Sequence, residues 1–360
     1  MRFALQPAPR FGSAPFALSV HTGGGPGVGQ TAQDGLSDTI DLAKAADQLG
    51  FHRFWMSEHH AMPALSVASP PLMMARLTAD TRQIRLGAGG IMLPNHAPLI
   101  VAEQIGMLEA LAPGRIDLGV GRAPGTDGAT AAALRRGTGS AQSFDEQLAE
   151  LIGFLADDFP QNHPYSTVHA VPGPWQNQQN QVPAAQHQTP LWILGSSPYS
   201  AQLAARLGRP YAFALQFGEA DIETALRIYR DNFVPSAQLE HPYVLVSLSA
   251  IASEDIEFAG AQAASGAMAM LRMFKGESYK LLSPQEVADY SATLNERAII
   301  QMYTNRTFAG TAQQVARRLE ELQERTGADE LMLVTGSHVR NAALGTVQLM
   351  AEHYKPASKS

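Results

Sequence analysis

Eight times along this chain a short apolar, β-branched or aromatic run gives way to a stretch with helical period. The runs are "FALSVH" (16–21), "HRFWMS" (52–57), "IRLGAGGIML" (84–93), "GRIDLGVG" (114–121), "LWILG" (191–195), "YAFALQF" (211–217), "YVLVSLSAIA" (243–252) and "DELMLVTG" (329–336). Helix punctuation falls between them. Gly50 suits the end of "SDTIDLAKAADQLG", and Ser69 followed by Pro70 and Pro71 suits a helix start. Continuous apolar strands in βαβ order imply a parallel sheet covered on both faces. Eight of them in 360 residues predict a single α/β domain closed into a (β/α)8 TIM barrel. The barrel is expected over 16–355, after an N-terminal extension of residues 1–15. Two segments break the alternation: a Gln- and Pro-rich excursion at 159–189, and a helical insertion at 253–309 that carries "AMAMLRMF".

Composition removes several function classes. The formal net charge is −7 and no basic run occurs, so neither nucleic acid nor an anionic membrane is an expected partner. The absence of cysteine excludes disulfides, zinc–thiolate sites and thiol nucleophiles. No apolar stretch approaches the length of a membrane span. The opening "MRFALQPAPRFGSAPF" is too Pro-rich and interrupted for a signal peptide, so a cytoplasmic protein is expected.

In such a barrel the active site is built where strands end and the following loops begin. Strand two ends in Ser57, Glu58, His59 and His60. Strand three contains Gly89 and Gly90 and is followed by Asn95 and His96. Strand four ends in Gly119, Gly121 and Arg122, strand five in Gly195, Ser196 and Ser197, strand six near Gln216, and the last in Thr335 and Gly336. Ser196 and Ser197 stand at the start of the helix "SPYSAQLAARLG", whose first N–H groups suit an anion. Gly195 lets the backbone approach, Ser200 adds a hydroxyl one turn in, and Arg122 can complete an anion pocket from the neighbouring strand. Taken alone, the serines are better explained by a plain N-cap, and Arg122 changes that balance. The Gly89-Gly90 pair marks a bulge, an unusual peptide or a flat ligand against the backbone.

Glu58-His59-His60 admits two readings. Adjacent strand residues face opposite ways, so the two histidines cannot both point inward along a continued strand. A metal site would need His96, one inward group of this cluster and a carboxylate from elsewhere, and neither His-x-His nor His-Glu-x-x-His occurs. One histidine acting as a general base or hydrogen-bond donor is the more economical functional reading, a rim histidine bonded to a neighbouring loop accounts for at least one of the two, and no metal is expected. "GVGQTA" (27–32) matches a dinucleotide pattern, but its helix is expected to begin only near Asp34 to Ser37, which places the glycines in a loop. Methionines 268, 270 and 273 read as packing.

The stretches "GFHRFWMSEHH", "IRLGAGGIMLPNHAPLIVAEQIGMLEALAPGRIDLGVGRAPGTD", "PLWILGSSPYSAQLAARLGRPYAFA" and "FAGTAQQVARRLEELQERTGADELMLV" resemble the bacterial luciferase-like flavin-dependent monooxygenase family. The resemblance runs in order from about residue 16 to 350. It implies a TIM barrel that binds FMN, or in some branches a deazaflavin, at the strand C-termini. It further implies that Arg122, Ser196 and Ser197 hold the flavin phosphate, that Gly89-Gly90 is a cis peptide beneath the ring system, and that His59 is the catalytic base. Gly121 stands where true luciferases carry a reactive cysteine, and Ala123-Pro124-Gly125 lacks their aromatic. No luciferase mobile-loop sequence is found in 253–309. The resemblance therefore does not extend to light emission or a long-chain aldehyde substrate.

The expected function is FMN-dependent oxygenation of a small organic substrate by reduced flavin and dioxygen, with the reduced flavin supplied by a separate reductase. A deazaflavin-dependent dehydrogenase on the same barrel and a flavin-binding protein without turnover are the alternatives. Specificity is expected in loops such as 22–35 and 253–309. The helices "PLMMARLTA" and "LIVAEQIGMLEAL" are apolar over more of their circumference than a solvent-facing barrel helix requires, and predict a homodimer surface.

Overall fold

The structure, a computed structural model, describes residues 8–27, 29–123, 126–134, 143–182, 189–218, 221–277, 281–336, 339 and 342–355. Nine strands are described: β1 (Ala17–Thr22), β2 (Arg53–Met56), β3 (Arg85–Met92), β4 (Ile116–Gly121), β5 (Leu191–Gly195), β6 (Tyr211–Ala214), β7 (Val244–Ala252), β8 (Phe308–Gly310) and β9 (Glu330–Val334). The helices up to β5 are α1 (Ala32–Leu49), α2 (Pro70–Thr78), α3 (Pro98–Leu111), α4 (Gly128–Ala133), α5 (Phe144–Ala156) and α6 (Pro174–Gln179). After β5 come α7 (Pro198–Arg206), α8 (Ile222–Asp231), α9 (Ile256–Phe274), α10 (Pro284–Ala288), α11 (Leu294–Arg306), α12 (Ala312–Thr326) and α13 (Ala342–Tyr354).

All strand pairings are parallel. They run in the order β6-β5-β4-β3-β2-β1-β9-β7, and a β6–β7 pairing closes the ring. This is the eight-stranded TIM barrel expected from the alternation, with helices between strands. The extra strand, β8, pairs only with Ala250–Ala252 at the far end of β7 and stays outside the ring. Three residues are too few to show a strand pattern, and the sequence reading had placed Phe308 and Ala309 in the helical insertion. What that insertion holds is α9, α10 and α11 followed by β8; residues 278–280 within it lie outside the described part.

Local signals position many helix ends. Ser/Thr caps and a partner three residues on form reciprocal capping boxes at α1, α5, α7, α10, α11 and α12. The box between Thr31 and Asp34 starts α1 at Ala32, a few residues earlier than the sequence reading had it. Gly29 still lies in the loop before the helix, and Val28 is outside the described residues. Gly50 ends α1 in the left-handed region at φ 85°. Ser69 caps α2 without a side-chain bond, with prolines in the first turn.

Of the N-terminal extension, residues 1–7 lie outside the described part; Phe11 is buried, its ring 4.5 Å from Phe51. In the excursion, Phe159 packs edge-on against Phe154, and His169 stacks on Trp175 at 4.6 Å. Residues 183–188 of it are not described.

The barrel interior is less apolar than its strands read. At the N-terminal end, Arg53 Nη1 lies 2.7 Å from Asp117 Oδ2 and its Nε 2.9 Å from Glu330 Oε2, with all three side chains buried. Arg85 reaches Asp117 at 2.8 Å, and Ser19 and Tyr243 donate to Glu330. Burial works to raise both carboxyls, but the guanidinium charges hold each below the ordinary carboxylate range. Above this layer Trp55 and Trp192 meet edge-on at 5.1 Å, with Arg53 4.7 Å from the Trp192 ring. The tryptophans separate the ionic floor from the strand C-termini.

Candidate active site

Strand C-termini converge on a cavity of 780 Å³, within the range of a cofactor pocket. All eight sequence-nominated residues line it: His59, Gly89, Gly90, Arg122, Gly195, Ser196, Ser197 and Ser200. A second cavity of 290 Å³ lies between the β1–α1 loop and the tract from α9 to β8. His21, His59, Met62, Gly89, Met92 and Gln216 line both, so the two are chambers of one site.

The question raised by Glu58-His59-His60 has a geometric answer. Glu58 is buried, and its carboxylate gathers the loops after β2 and β3. It accepts from the Met92 N–H at 3.1 Å, from Asn95 Nδ2 at 3.2 Å, and from Nε2 of both His60 and His96 at 2.9 Å. A carboxylate only accepts, so both imidazoles must donate. Burial pushes the Glu58 carboxyl up, but the bonds and charge from His96 and the bond from His60 bring it below its usual range. His60 is thus engaged with Glu58, while His59 borders both chambers. Among the described residues no group of three or more His, Asp or Glu side chains is placed to hold a metal ion.

The Gly89–Gly90 peptide is cis, and the β3–β4 register shifts between Ala88 and Ile91. The reason for glycine at 89 is steric. A Cβ there would come within 2.9 Å of Trp55 and 3.1 Å of His21, so no other residue leaves this backbone in the chamber wall. His21, which is not among the candidates nominated from the sequence, is the penultimate residue of β1 and lies beside it. Its Nε2 lies 3.1 Å from the Gly89 carbonyl, which can only accept; Nε2 therefore carries the proton, and the buried Nδ1 has no partner among the described residues. Burial lowers its pKa to about 4, so the ring is neutral at pH 7. The strand-end rule applied to β1 would have found it.

At the β4–β5 side, Arg122 lies 4.4 Å over the Tyr199 ring, in the first turn of α7. Tyr199 donates to Asp145; burial and that carboxylate push its pKa to about 12. Ser197 caps α7, accepting from the Ser200 N–H. The Ser200 hydroxyl lies 2.8 Å from the Ser197 carbonyl and 3.1 Å from Tyr211 Oη. It is buried and already engaged, so it shapes the turn. A Cβ at Gly195 would meet Ser200 Oγ at 2.6 Å. Pro124 and Gly125, after Arg122, lie outside the described residues.

A cavity at the strand C-termini, with a guanidinium and a helix N-terminus at one side and small backbone over a tryptophan at the other, fits a phosphorylated planar cofactor. The luciferase-like monooxygenase family model matches residues 15–330. A luciferase-like monooxygenase of Escherichia coli (strain K12) is 39% identical over 306 residues, covering 85% of this chain and 87% of that protein. The N-acetyl-S-alkylcysteine monooxygenase of Bacillus subtilis (strain 168) is 33% identical over 312 residues, covering 86% and 89%. The crystal structure of apo-MsnO8 superposes with a TM-score of 0.78 at 30% identity, covering 94% of this chain and 97% of that one. The chain belongs to the luciferase-like monooxygenase family and is a flavin-dependent oxidoreductase. No described helix is long and apolar enough to cross a membrane.

Proposed function

We propose that the protein is an FMN-dependent monooxygenase that takes reduced flavin from a separate reductase and oxygenates a small organic substrate. The observation that carries the reading is the assembly of the eight nominated residues around one 780 Å³ cavity. Arg122 and the backbone N–H groups of Ser196 and Tyr199 bind the phosphate; Gly89 and Gly90 bring backbone against the ring system; His59 accepts and returns a proton at an imidazole nitrogen. When bound, reduced FMN supplies the electrons that activate dioxygen. The similarity to an N-acetyl-S-alkylcysteine monooxygenase supports oxygenation as the outcome.

The test is an anaerobic titration with oxidised and reduced FMN, read by absorbance and fluorescence. Tighter binding of the reduced form is expected. Arg122→Ala is expected to weaken FMN roughly 10- to 100-fold, the loss of charge-assisted hydrogen bonds to phosphate, and to leave riboflavin affinity unchanged. Binding of deazaflavin but not of either FMN form would assign the dehydrogenase alternative, and failure of both would remove the flavin reading.

The active form in this reading is a homodimer through α2 and α3. Leu72 is 75% exposed, and Met107 and Leu111 of α3 are 56% and 59% exposed, a concentration of apolar surface that a second copy would cover. Analytical ultracentrifugation is expected to show a dimer at micromolar concentration and a monomer for Leu72→Asp/Met107→Glu. A wild-type monomer would overturn this part.

A further inference from the structure

The smaller chamber has a largely apolar lining, including Leu42, Leu65, Ile251 and Met270. Polar groups such as His21, Asp38, His59 and Gln262 interrupt it, and one cation, Arg306, stands among them. Arg306, the last residue of α11, borders the chamber with its guanidinium 5.0 Å from the Tyr303 ring centre. Its Nη2 donates to the Gly218 carbonyl at 2.8 Å, while the buried Nη1 has no acceptor among the described residues. None of the ion pairs among the described residues involves Arg306. A carboxylate, Asp38 of α1, also lines the chamber.

We propose that this chamber takes a small apolar molecule bearing a carboxylate, and that Arg306 is its specificity-determining residue. The inference rests on reading the two chambers as the flavin and substrate sides of one site. Arg306 brings a guanidinium to the chamber lining with no carboxylate paired to it among the described residues, so a ligand carboxylate placed there meets an uncompensated positive charge. A carboxylate matches the guanidinium fork in charge and geometry, whereas a neutral amide offers one weaker acceptor and an ammonium none. Tyr303 beneath the cation and the Gly218 carbonyl beside it limit its swing, so the fork is oriented before the ligand arrives. Apolar walls then bind the body of the molecule without selecting its details. The helical insertion thereby contributes the charge that selects the substrate.

The experiment compares 3-phenylpropanoate, 3-phenylpropanamide and 3-phenylpropylamine, three head groups on one body, by calorimetric titration of the full chain with and without oxidised FMN. Propanoate is expected to bind at least tenfold tighter than the amide, with the amine weakest. In Arg306→Met the preference should fall below twofold; Arg306→Lys, which keeps the charge and loses the fork, should retain part of it. If Arg306 merely clips α11 to the Gly218 loop, the variants will lower the melting temperature and leave head-group discrimination intact, which overturns the proposal. Equal binding of the three, preference for the amine, or binding of none at millimolar concentration in either condition overturns it as well. The flavin reading is tested separately by FMN affinity, so failure of one is distinguishable from failure of the other.

Discussion

Arg53→Met is expected to lower the unfolding free energy by about 3–5 kcal/mol, the cost of breaking a buried ion pair by removing one partner. Arg53 bridges Asp117 and Glu330 inside the barrel floor. Methionine fills the volume but leaves Glu330 with only the hydroxyls of Ser19 and Tyr243, while Asp117 keeps Arg85. The pH dependence carries the sign of this effect. In the native protein both carboxyls titrate below their unfolded values, so their contribution is complete above the unfolded pKa near 4 and is lost as pH falls. In the variant, burial dominates at Glu330 and favours the protonated acid, so its stability declines as pH rises. Urea denaturation should therefore show the largest difference near pH 7 and a narrower one near pH 4. Arg53→Met/Glu330→Leu should recover much of the loss, since apolar replacement of a buried pair is often neutral. A difference under 1 kcal/mol at pH 7, or one that widens in acid, would contradict this account of the floor.

His59→Ala is expected to reduce turnover by roughly 10²- to 10⁴-fold, the range for a positioned acid–base group, with FMN affinity changed less than about threefold. The prediction follows from the division of labour in the Glu58 turn. His60 and His96 donate to Glu58 and hold the loops, whereas His59 lines both chambers and His60 only the larger. His60→Ala should act differently, lowering stability through the loss of one Glu58 partner. Stopped-flow product formation with preloaded reduced FMN separates the cases. A parallel loss of flavin affinity in His59→Ala would make His59 a cofactor contact, and unchanged turnover would remove it from the chemistry.

Much of this was legible in the linear chain, because the signals are local. The Gly50 terminator, the Ser69 start with its prolines and eight apolar runs each depend on residues a few positions apart, and together they pointed to the eight-stranded closed barrel, while the Thr31–Asp34 box that starts α1 and the three-residue β8 went unread. The rule that barrel sites form at strand ends then nominated Arg122, Gly195, Ser196, Ser197 and the Glu58 turn. The choice of His59 over His60, by contrast, came from resemblance. The spacing of two adjacent histidines leaves open which one turns toward a carboxylate. The ionic floor was invisible because Arg53, Asp117 and Glu330 come from strands far apart in sequence and each looks like an isolated charge at a strand start.

Tertiary structure alone decided where the unpaired polar atoms lie. His21 Nδ1 and Arg306 Nη1 are notable only because barrel closure and the packing of α11 bury them with no hydrogen-bond partner among the described residues. Desolvation and hydrogen-bond satisfaction are sums over every neighbour in space, and those neighbours arrive from β1, β3, β6 and α11. The sequence by itself determined the scaffold and the strand-end positions where chemistry is possible. Which side chains are held in reserve, and which are committed to one another, was decided only when the barrel closed.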